Sequence, residues 1–371
     1  MKSYLLSATI ICVLGVFLYL CFPEHNIHST GIILVSGAST GIGRSAAETI
    51  ARRNKEYIVF AGVRKDADSE SIRAVGLTNL KPIELDVTSA ESVSSAYKRI
   101  QEFSIKSNLK VISIINNAGL AQGPTTIEFH QMIDAEKLFN VNFFGALRLT
   151  QSFLPLLRES RGRIIMISSI TGEFAPPLGG IYSATKHALE AMSDSLRIEL
   201  NSLGVSVSII QPGAVLTPIF TSLRTESIES AVLENKKAVS VYPHLYTKQD
   251  IANEKTLEIL AADVSVTNKA IYHALTSSYP LTRYRVANML GVPSFLFVYL
   301  SSLLPDRLID VFLQFKTVPS IMLFIFRVIQ RYLPERVIDI LVSFKALPFL
   351  LAPQIIWVIS KGIQGIQLIA K

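Results

Sequence analysis

The sequence predicts an α/β protein built on a doubly wound parallel sheet. Three observations predict it. Short apolar, partly β-branched runs alternate with segments of helical composition, at the spacing of strand–helix units. The first of these runs feeds directly into a glycine-rich turn that opens a helix. The polar and glycine-rich groups fall at the carboxyl ends of the runs, which is where such sheets bind ligands.

Ile32-Ile33-Leu34-Val35 reads as the first buried parallel strand. It runs into SGASTGIG, containing Gly37, Ser39, Gly41, Ile42 and Gly43, and Arg44 to Arg53 then has helical composition. Strand, glycine-rich turn and helix together make a pyrophosphate cradle. The glycines let the backbone approach the phosphates, and the unpaired N–H groups and dipole of the helix start attract them. The spacing is G-x-x-x-G-x-G, not the commoner G-x-G-x-x-G. Tyr57 to Val63 reads as the second strand, followed by Arg64 and Lys65. No acid stands at Val63 or Arg64 to bond a ribose 2′-hydroxyl, and an arginine there suits a 2′-phosphate. This favours NADP over NAD, with Asp66 and Asp68 close enough to keep NAD open.

Pro82 to Val87 reads as a third strand with Asp86 at its carboxyl end, and a helix follows over Ala90 to Phe103. Val111 to Ile115 is the fourth strand and ends in Asn116-Asn117-Ala118-Gly119. One long helix is expected from Glu128 to Leu157, carrying Asn142. Arg163 to Ile167 is a fifth strand that delivers Ser168 and Ser169. The helix after Tyr182 runs to Leu200, and a sixth strand, Val205 to Ile210, ends in Gln211-Pro212-Gly213. Past Pro218 the pattern loosens, with helical segments over Asn253–Leu260 and Asn268–Thr276.

Composition excludes several functions. The chain has 371 residues and a net charge of +7, but no lysine or arginine run, so nucleic acid is not the expected partner. Its two cysteines, Cys12 and Cys21, lie in an N-terminal apolar stretch, and the six histidines show no ligand spacing. A thiol nucleophile, a disulfide framework and a resident metal are therefore not expected. Mean hydropathy is +0.39, high for a wholly soluble protein.

The chemistry concentrates in Ser169 and, thirteen positions on, Tyr182-Ser183-Ala184-Thr185-Lys186. Tyr182 and Lys186 stand one helical turn apart on one face. A phenol titrates near 10 and is a poor proton carrier at neutral pH. A nearby ammonium stabilises the phenolate and is expected to lower that value. A hydroxyl such as Ser169 can then hold a substrate oxygen beside the phenol.

With these residues assembled, Gly31 to Pro218 resembles the short-chain dehydrogenase/reductase family. Five motifs occur in the family's order: SGASTGIG, Asp86 in LDVT, NNAG, Ser169 with YSATK, and Pro212-Gly213 followed by Thr217. Ser36 replaces the usual threonine and keeps its hydroxyl. The stretches FAGVRK, SFLPLLRESRGRIIMISS and ALTSSYPLTRY look most like the branch of retinol, hydroxysteroid and 3-hydroxybutyrate dehydrogenases. The resemblance implies a Rossmann-like fold and a Tyr182 that acts as general acid in reduction and general base in oxidation. It implies that Lys186 tunes Tyr182 and bonds the nicotinamide ribose, that Ser169 holds the substrate oxygen, and that Asn142 anchors a water relay. Gly37, Ser39, Ile42, Asp86, Asn117 and Thr217 are the implied cofactor contacts, beside Gly41, Gly43, Arg64, Pro212 and Gly213 and, in a second role, Tyr182 and Lys186.

The two ends extend this picture. Tyr4 to Phe22 is a run of 19 residues without a charge, long enough to cross a bilayer and without the small residues of a signal-peptide cleavage site. It is read as an uncleaved anchor. LPDRLIDVFLQFKTVP at 304–319 recurs as LPERVIDILVSFKALP at 333–348, an offset of 29. Each copy is an apolar helix with one narrow polar face, expected to lie in a membrane surface; a dimerisation surface or a lid over the substrate mouth are the rivals. The expected organisation is an anchor over 1–28, a dinucleotide-binding catalytic domain over 29–285 and an apolar helical extension over 286–371. The expected function is a membrane-bound oxidoreductase of a lipophilic alcohol or carbonyl, placed in the endoplasmic reticulum membrane of a eukaryote or the inner membrane of a bacterium. A homo-oligomer is compatible with this. The alternatives are a cofactor-binding scaffold without catalysis and a lipid-activated dehydrogenase of a small hydroxy acid.

Overall fold

The computed structural model describes residues 24–121, 123–218, 236–246, 261–289 and 292–294. The anchor expected at 4–22, the helix expected at 253–260 and the repeat at 304–348 lie outside the described residues. Among the described residues no helix is long and apolar enough to cross a membrane.

The strands are β1 (Gly31–Val35), β2 (Tyr57–Val63), β3 (Leu80–Glu84), β4 (Val111–Asn116), β5 (Arg163–Ile167), β6 (Ser206–Pro212) and β7 (Arg283–Val286). They form one sheet in the order β3-β2-β1-β4-β5-β6-β7, every pair parallel. Side chains alternate across the sheet. Ile33 and Val35 of β1 pack under α1 (Gly41–Arg53) and the later α8 (Ser265–Thr276). Ile32 and Leu34 face α3 (Ala90–Ser107), α5 (Ala146–Ser160) and α6 (Gly180–Asn201). Both faces are covered, which is why the strands read as continuous apolar runs. Leu149, Phe153 and Leu157 of α5 are all fully buried, each such side chain contributing about 1.5–3 kcal/mol.

Local sequence sets the ends. Ser89 caps α3, its side chain accepting from Ser92 N at 3.1 Å. That helix stops at Asn108, which adopts a left-handed φ of 54°. The structure adds α2 (Asp66–Arg73), a short charged helix, and the edge strand β7, neither of which the sequence pattern showed. β7 runs to Val286, one residue past the expected domain boundary. β3 lies earlier than expected and ends at Glu84, so Asp86 stands two residues beyond the strand. A short helix, α7 (Lys236–Val241), lies among the residues after β6.

The single helix expected over 128–157 is four pieces instead. They are a 3₁₀ turn (Ile127–Phe129), α4 (Met132–Phe139), a π turn (Asn140–Gly145) and α5. The π turn widens the helix by one residue, a distortion found often at functional sites. Gly145 lets the wide turn close on the loop after β3: a Cβ there would lie 2.6 Å from Val87 Cγ2.

Candidate active site

A cleft of about 520 Å³ opens at the carboxyl ends of β1, β4, β5 and β6, where the strand order reverses. Of the expected site residues, Gly37, Ser39, Gly41, Ile42, Arg64, Asp86, Asn117, Ser169, Tyr182, Lys186, Pro212, Gly213 and Thr217 line it. Gly43 and Asn142 sit just behind the lining.

The glycine-rich turn is held to β4 by side chains. Ser36 Oγ accepts from Asn117 N and Ala118 N, each at 3.0 Å. Asn117 Nδ2 donates back to the carbonyls of Ser36 and Gly37, each at 3.0 Å. A Cβ on Gly37 would stand 2.7 Å from Ala118 Cα, and one on Gly43 would stand 2.2 Å from Asn117 Nδ2. The turn therefore lies flush against the next loop, and Gly41 and Ile42 put the start of α1, with its first backbone N–H groups, in the cleft lining. Thr40 makes no side-chain bond that caps them. The residues fit the pyrophosphate of a dinucleotide.

Asp86 is not the cap of α3, which is Ser89. Its Oδ1 accepts from Thr88 N at 2.9 Å and Thr88 Oγ1 at 2.7 Å. Burial opposes ionisation, but the Thr88 bonds and the charges of Arg64 and Arg148 outweigh it and hold this carboxyl below the usual range. Arg64 is thus exposed at the cleft rim within electrostatic reach of Asp86.

β5 delivers Ser169, and the 3₁₀ turn Ile170–Gly172 fixes it. Ser169 Oγ accepts from Thr171 N at 3.2 Å and from Thr171 Oγ1 at 3.0 Å. A hydroxyl has two acceptor sites and one proton. Thr171 occupies both acceptors, so the Ser169 proton is directed outward, toward Tyr182 and the cleft. Nothing in the sequence singled out Thr171; its position two residues past the serine is the only signal.

α6 carries Tyr182 and Lys186 on one face. Lys186 is buried, its Nζ donating to Ile167 O at 3.0 Å and lying 5.7 Å from the centre of the Tyr182 ring. Burial pulls the ammonium down to about 8, with Glu190 working the other way. Tyr182 keeps some contact with the cleft solvent, yet the protein packed around it pushes the phenol up to about 12, against the Ser169 hydrogen bond. Desolvation of the phenolate thus opposes the lowering that the Tyr–Lys spacing suggests.

Asn142 is 1% exposed within the π turn. Its Oδ1 accepts from Leu120 N at 2.8 Å, and its Nδ2 donates to Leu120 O and Thr185 Oγ1, each at 3.0 Å. It joins the loop after β4 to the helix of Tyr182. A Cβ on Gly119 would lie 3.5 Å from Asn142 Oδ1 and 3.8 Å from Lys186 Nζ, so the two side chains flank one glycine. Among the described residues no group of histidine, cysteine and acidic side chains is placed to hold a metal ion.

The short chain dehydrogenase profile matches residues 31–228. The chain is 33% identical over 261 residues to the mitochondrial D-beta-hydroxybutyrate dehydrogenase of Mus musculus, covering 68% of this chain and 75% of that one. It is 33% identical over 290 residues to 17-beta-hydroxysteroid dehydrogenase type 6 of Rattus norvegicus, covering 76% and 87%. A short-chain dehydrogenase structure from Streptomyces avermitilis superposes with a TM-score of 0.57 at 26% identity, covering 74% of this chain and 94% of that one. The chain belongs to the short-chain dehydrogenase family of NAD(P)-dependent oxidoreductases, in the branch that holds hydroxybutyrate and hydroxysteroid dehydrogenases.

Proposed function

We propose that the protein is a membrane-bound oxidoreductase that interconverts a lipophilic alcohol and its ketone or aldehyde, with NADP(H) preferred over NAD(H). The observation that carries this reading is the convergence of Ser169, Tyr182 and Lys186 on one cleft with the glycine-rich turn. When bound, the nicotinamide cofactor supplies or accepts the hydride. The turn from Gly37 to Gly43, tied in place by Asn117, would hold its phosphates, and Arg64 a 2′-phosphate. The remaining chemistry belongs to the chain.

Ser169, its acceptors filled by Thr171, donates its hydrogen to the substrate oxygen. Tyr182 gives that oxygen a proton in reduction and takes one in oxidation. Lys186, charged, stabilises the phenolate that oxidation requires. Asn142 holds Leu120 in place and flanks Lys186 across Gly119, where it would seat a water linking Lys186 to solvent. Because reduction consumes the phenol proton and oxidation needs the phenolate, reduction is expected to slow as pH rises while oxidation quickens.

The substrate class rests on three supports. The Rattus norvegicus relative is named for a hydroxysteroid. The apolar run at 4–22 and the repeat at 304–348 suit a membrane-associated enzyme. Leu120, Ala121, Val141 and Ile170 give the cleft apolar walls. The Mus musculus relative is named for hydroxybutyrate, which favours the small hydroxy acid as a second reading. Against it, the lining includes no cation beyond Arg64 and the internal Lys186 among the described residues, leaving no evident partner for a substrate carboxylate.

The test is turnover of a hydroxysteroid, retinol and 3-hydroxybutyrate by detergent-solubilised full chain, with NADP⁺ and NAD⁺ in parallel. Tyr182→Phe is expected to lower turnover by about 10²–10⁴-fold while cofactor binding is retained. Equal turnover in that variant would remove Tyr182 from the catalytic role, and a folded wild-type chain that binds cofactor but turns over none of these substrates would move the non-catalytic scaffold to the front.

A further inference from the structure

One helical turn beyond Lys186, α6 carries a second charged side chain into the interior. Glu190 is 6% exposed, and its spacing sets it on the same helix face as Lys186. It packs beneath the catalytic turn: a Cβ on Gly172 would lie 3.0 Å from Glu190 Cγ and 3.3 Å from Oε1. Gln211 Nε2 donates to Glu190 Oε1 at 3.0 Å and to Glu173 Oε1 at 2.6 Å. Arg283 Nε donates to Glu190 Oε2 at 3.0 Å, and its terminal nitrogen donates to Asp194 Oδ2 at 2.6 Å. Arg285 spans both oxygens of Glu173, at 2.8 and 3.1 Å. Glu190 therefore stands one helical turn from Lys186 and from Asp194 on its own helix, within electrostatic reach of Lys186, with Ser168 and Glu173 around the catalytic turn, Gln211 on β6 and Arg283 on β7 about it, and Arg285 behind Glu173.

A buried carboxylate is costly unless it is paired and hydrogen-bonded. Arg283 meets one side of Glu190, and Lys186 acts on it from the next turn of the helix. We propose that Glu190 is the counter-charge that keeps Lys186 in its ammonium form, with Arg283 holding Glu190 ionised for that task. The inference rests on the reading of Tyr182 and Lys186 as the proton-transferring pair. Glu190 touches neither reacting group; it is a positioning residue that acts through Lys186.

The consequence lies in how the pair shares a proton. Loss of one proton from Tyr182 and Lys186 gives two forms of equal net charge, phenolate beside ammonium or phenol beside amine. Only the first can take a proton from an alcohol. Glu190 is one helical turn from Lys186 and two from Tyr182, so its negative charge favours the first form. Burial alone drives the system the other way: it lowers Lys186 to about 8 and raises Tyr182. Burial also raises Glu190, against the Ser168 hydroxyl, Gln211 and Arg283, so the counter-charge depends on those partners.

The experiment is a lysine side-chain NMR titration of the full chain in detergent, with the Lys186 signal assigned by its loss in Lys186→Met. Glu190→Gln is expected to move the Lys186 step to lower pH by about one unit or more. Glu190→Asp, which keeps the charge, is expected to leave the step near its original place. Glu190→Met refills the space without a polar group and repeats the test if the amide disturbs packing. A Lys186 step that stays put in the Gln or Met variant overturns the proposal, whatever happens to thermal stability. The titration needs no substrate, so a failure of the catalytic reading appears separately, in Tyr182→Phe turnover.

Discussion

A methyl group on Gly43 would stand 2.2 Å from Asn117 Nδ2 and 2.5 Å from the Gly37 carbonyl oxygen. The second of these is backbone and cannot swing aside. Asn117 is also the residue that ties Ser36 and Gly37 to the end of β4. Gly43→Ala therefore forces the whole cradle open. Overpacking of this kind costs about 1–3 kcal/mol of stability. The larger effect is expected in cofactor affinity, because the phosphates read backbone N–H groups whose positions the turn defines. A fall of about tenfold or more in NADPH affinity, followed by fluorescence titration, is the expected result; unchanged affinity would mean that the turn does not touch the phosphates. At this scale the sequence was legible wherever a residue type has one main use. Glycines before a helix and the Tyr–Lys spacing could be read directly, and Asn117 came with the family resemblance. Thr171 and Glu190 could not, because a threonine in a turn and a glutamate on a helix have many uses. Their roles come from what the fold brings beside them.

The elements show the same division. The central strands were legible because burial on both faces makes them largely apolar runs, whereas the edge strand β3, Leu-Lys-Pro-Ile-Glu, was placed two residues late. The seventh reads Arg-Tyr-Arg-Val, and its two arginines hide it. In the structure those arginines reach Glu173, Glu190 and Asp194, and so the edge strand is built from charges that only its partners explain. The helix α2 is mostly exposed and charged, with Ile72 its one buried residue, too little for a periodic signal. The π turn is illegible for another reason: one extra residue per turn shifts the apolar period without breaking it. Its role is open to test through Asn142, which satisfies both backbone groups of Leu120. Asn142→Ala leaves that N–H and that carbonyl unpaired, at a cost of about 1–3 kcal/mol. The loop from Gly119 to Ala121 lines the cleft, so the variant is expected to melt earlier and to lose turnover, with cofactor affinity less affected. Thermal melts beside NADPH titration would separate the two. Loss of affinity without loss of stability would place Asn142 at the cofactor and not in the scaffold.

The sheet places its chemistry at the carboxyl ends of the strands and a buried arginine at their amino ends. At the amino ends of the strands, Arg163 of β5 is 2% exposed and donates to Ala274 O and Asn26 O, each at 2.7 Å. Both acceptors are neutral carbonyls. His25 and His28 lie beside this arginine on the segment that leads into β1, which Tyr57 Oη also clasps by donating to His28 O at 2.6 Å. Burial first, and the charge of Arg163 with it, holds both imidazoles below their usual value. Unfolded, each would titrate near 6.5. Below that pH the unfolded chain binds protons that the folded chain resists, so stability falls as pH falls. The contribution is complete above about 6.5 and drains away toward the lowered folded-state values. Asp86 and Asp194, held below the usual carboxylate range mainly by their hydrogen bonds against burial, extend the loss to more acid pH in the same direction. The melting temperature of the full chain in detergent is therefore expected to drop steadily from pH 7 to pH 5, a window read from these imidazoles. In His28→Gln the slope over that window should flatten, since one of the three imidazoles held low near Arg163 (His25, His28 and His273) is gone while the segment keeps its backbone bonds to Arg163 and Tyr57. An unchanged slope would show that the histidines titrate alike in both states and that Arg163 does not repel them.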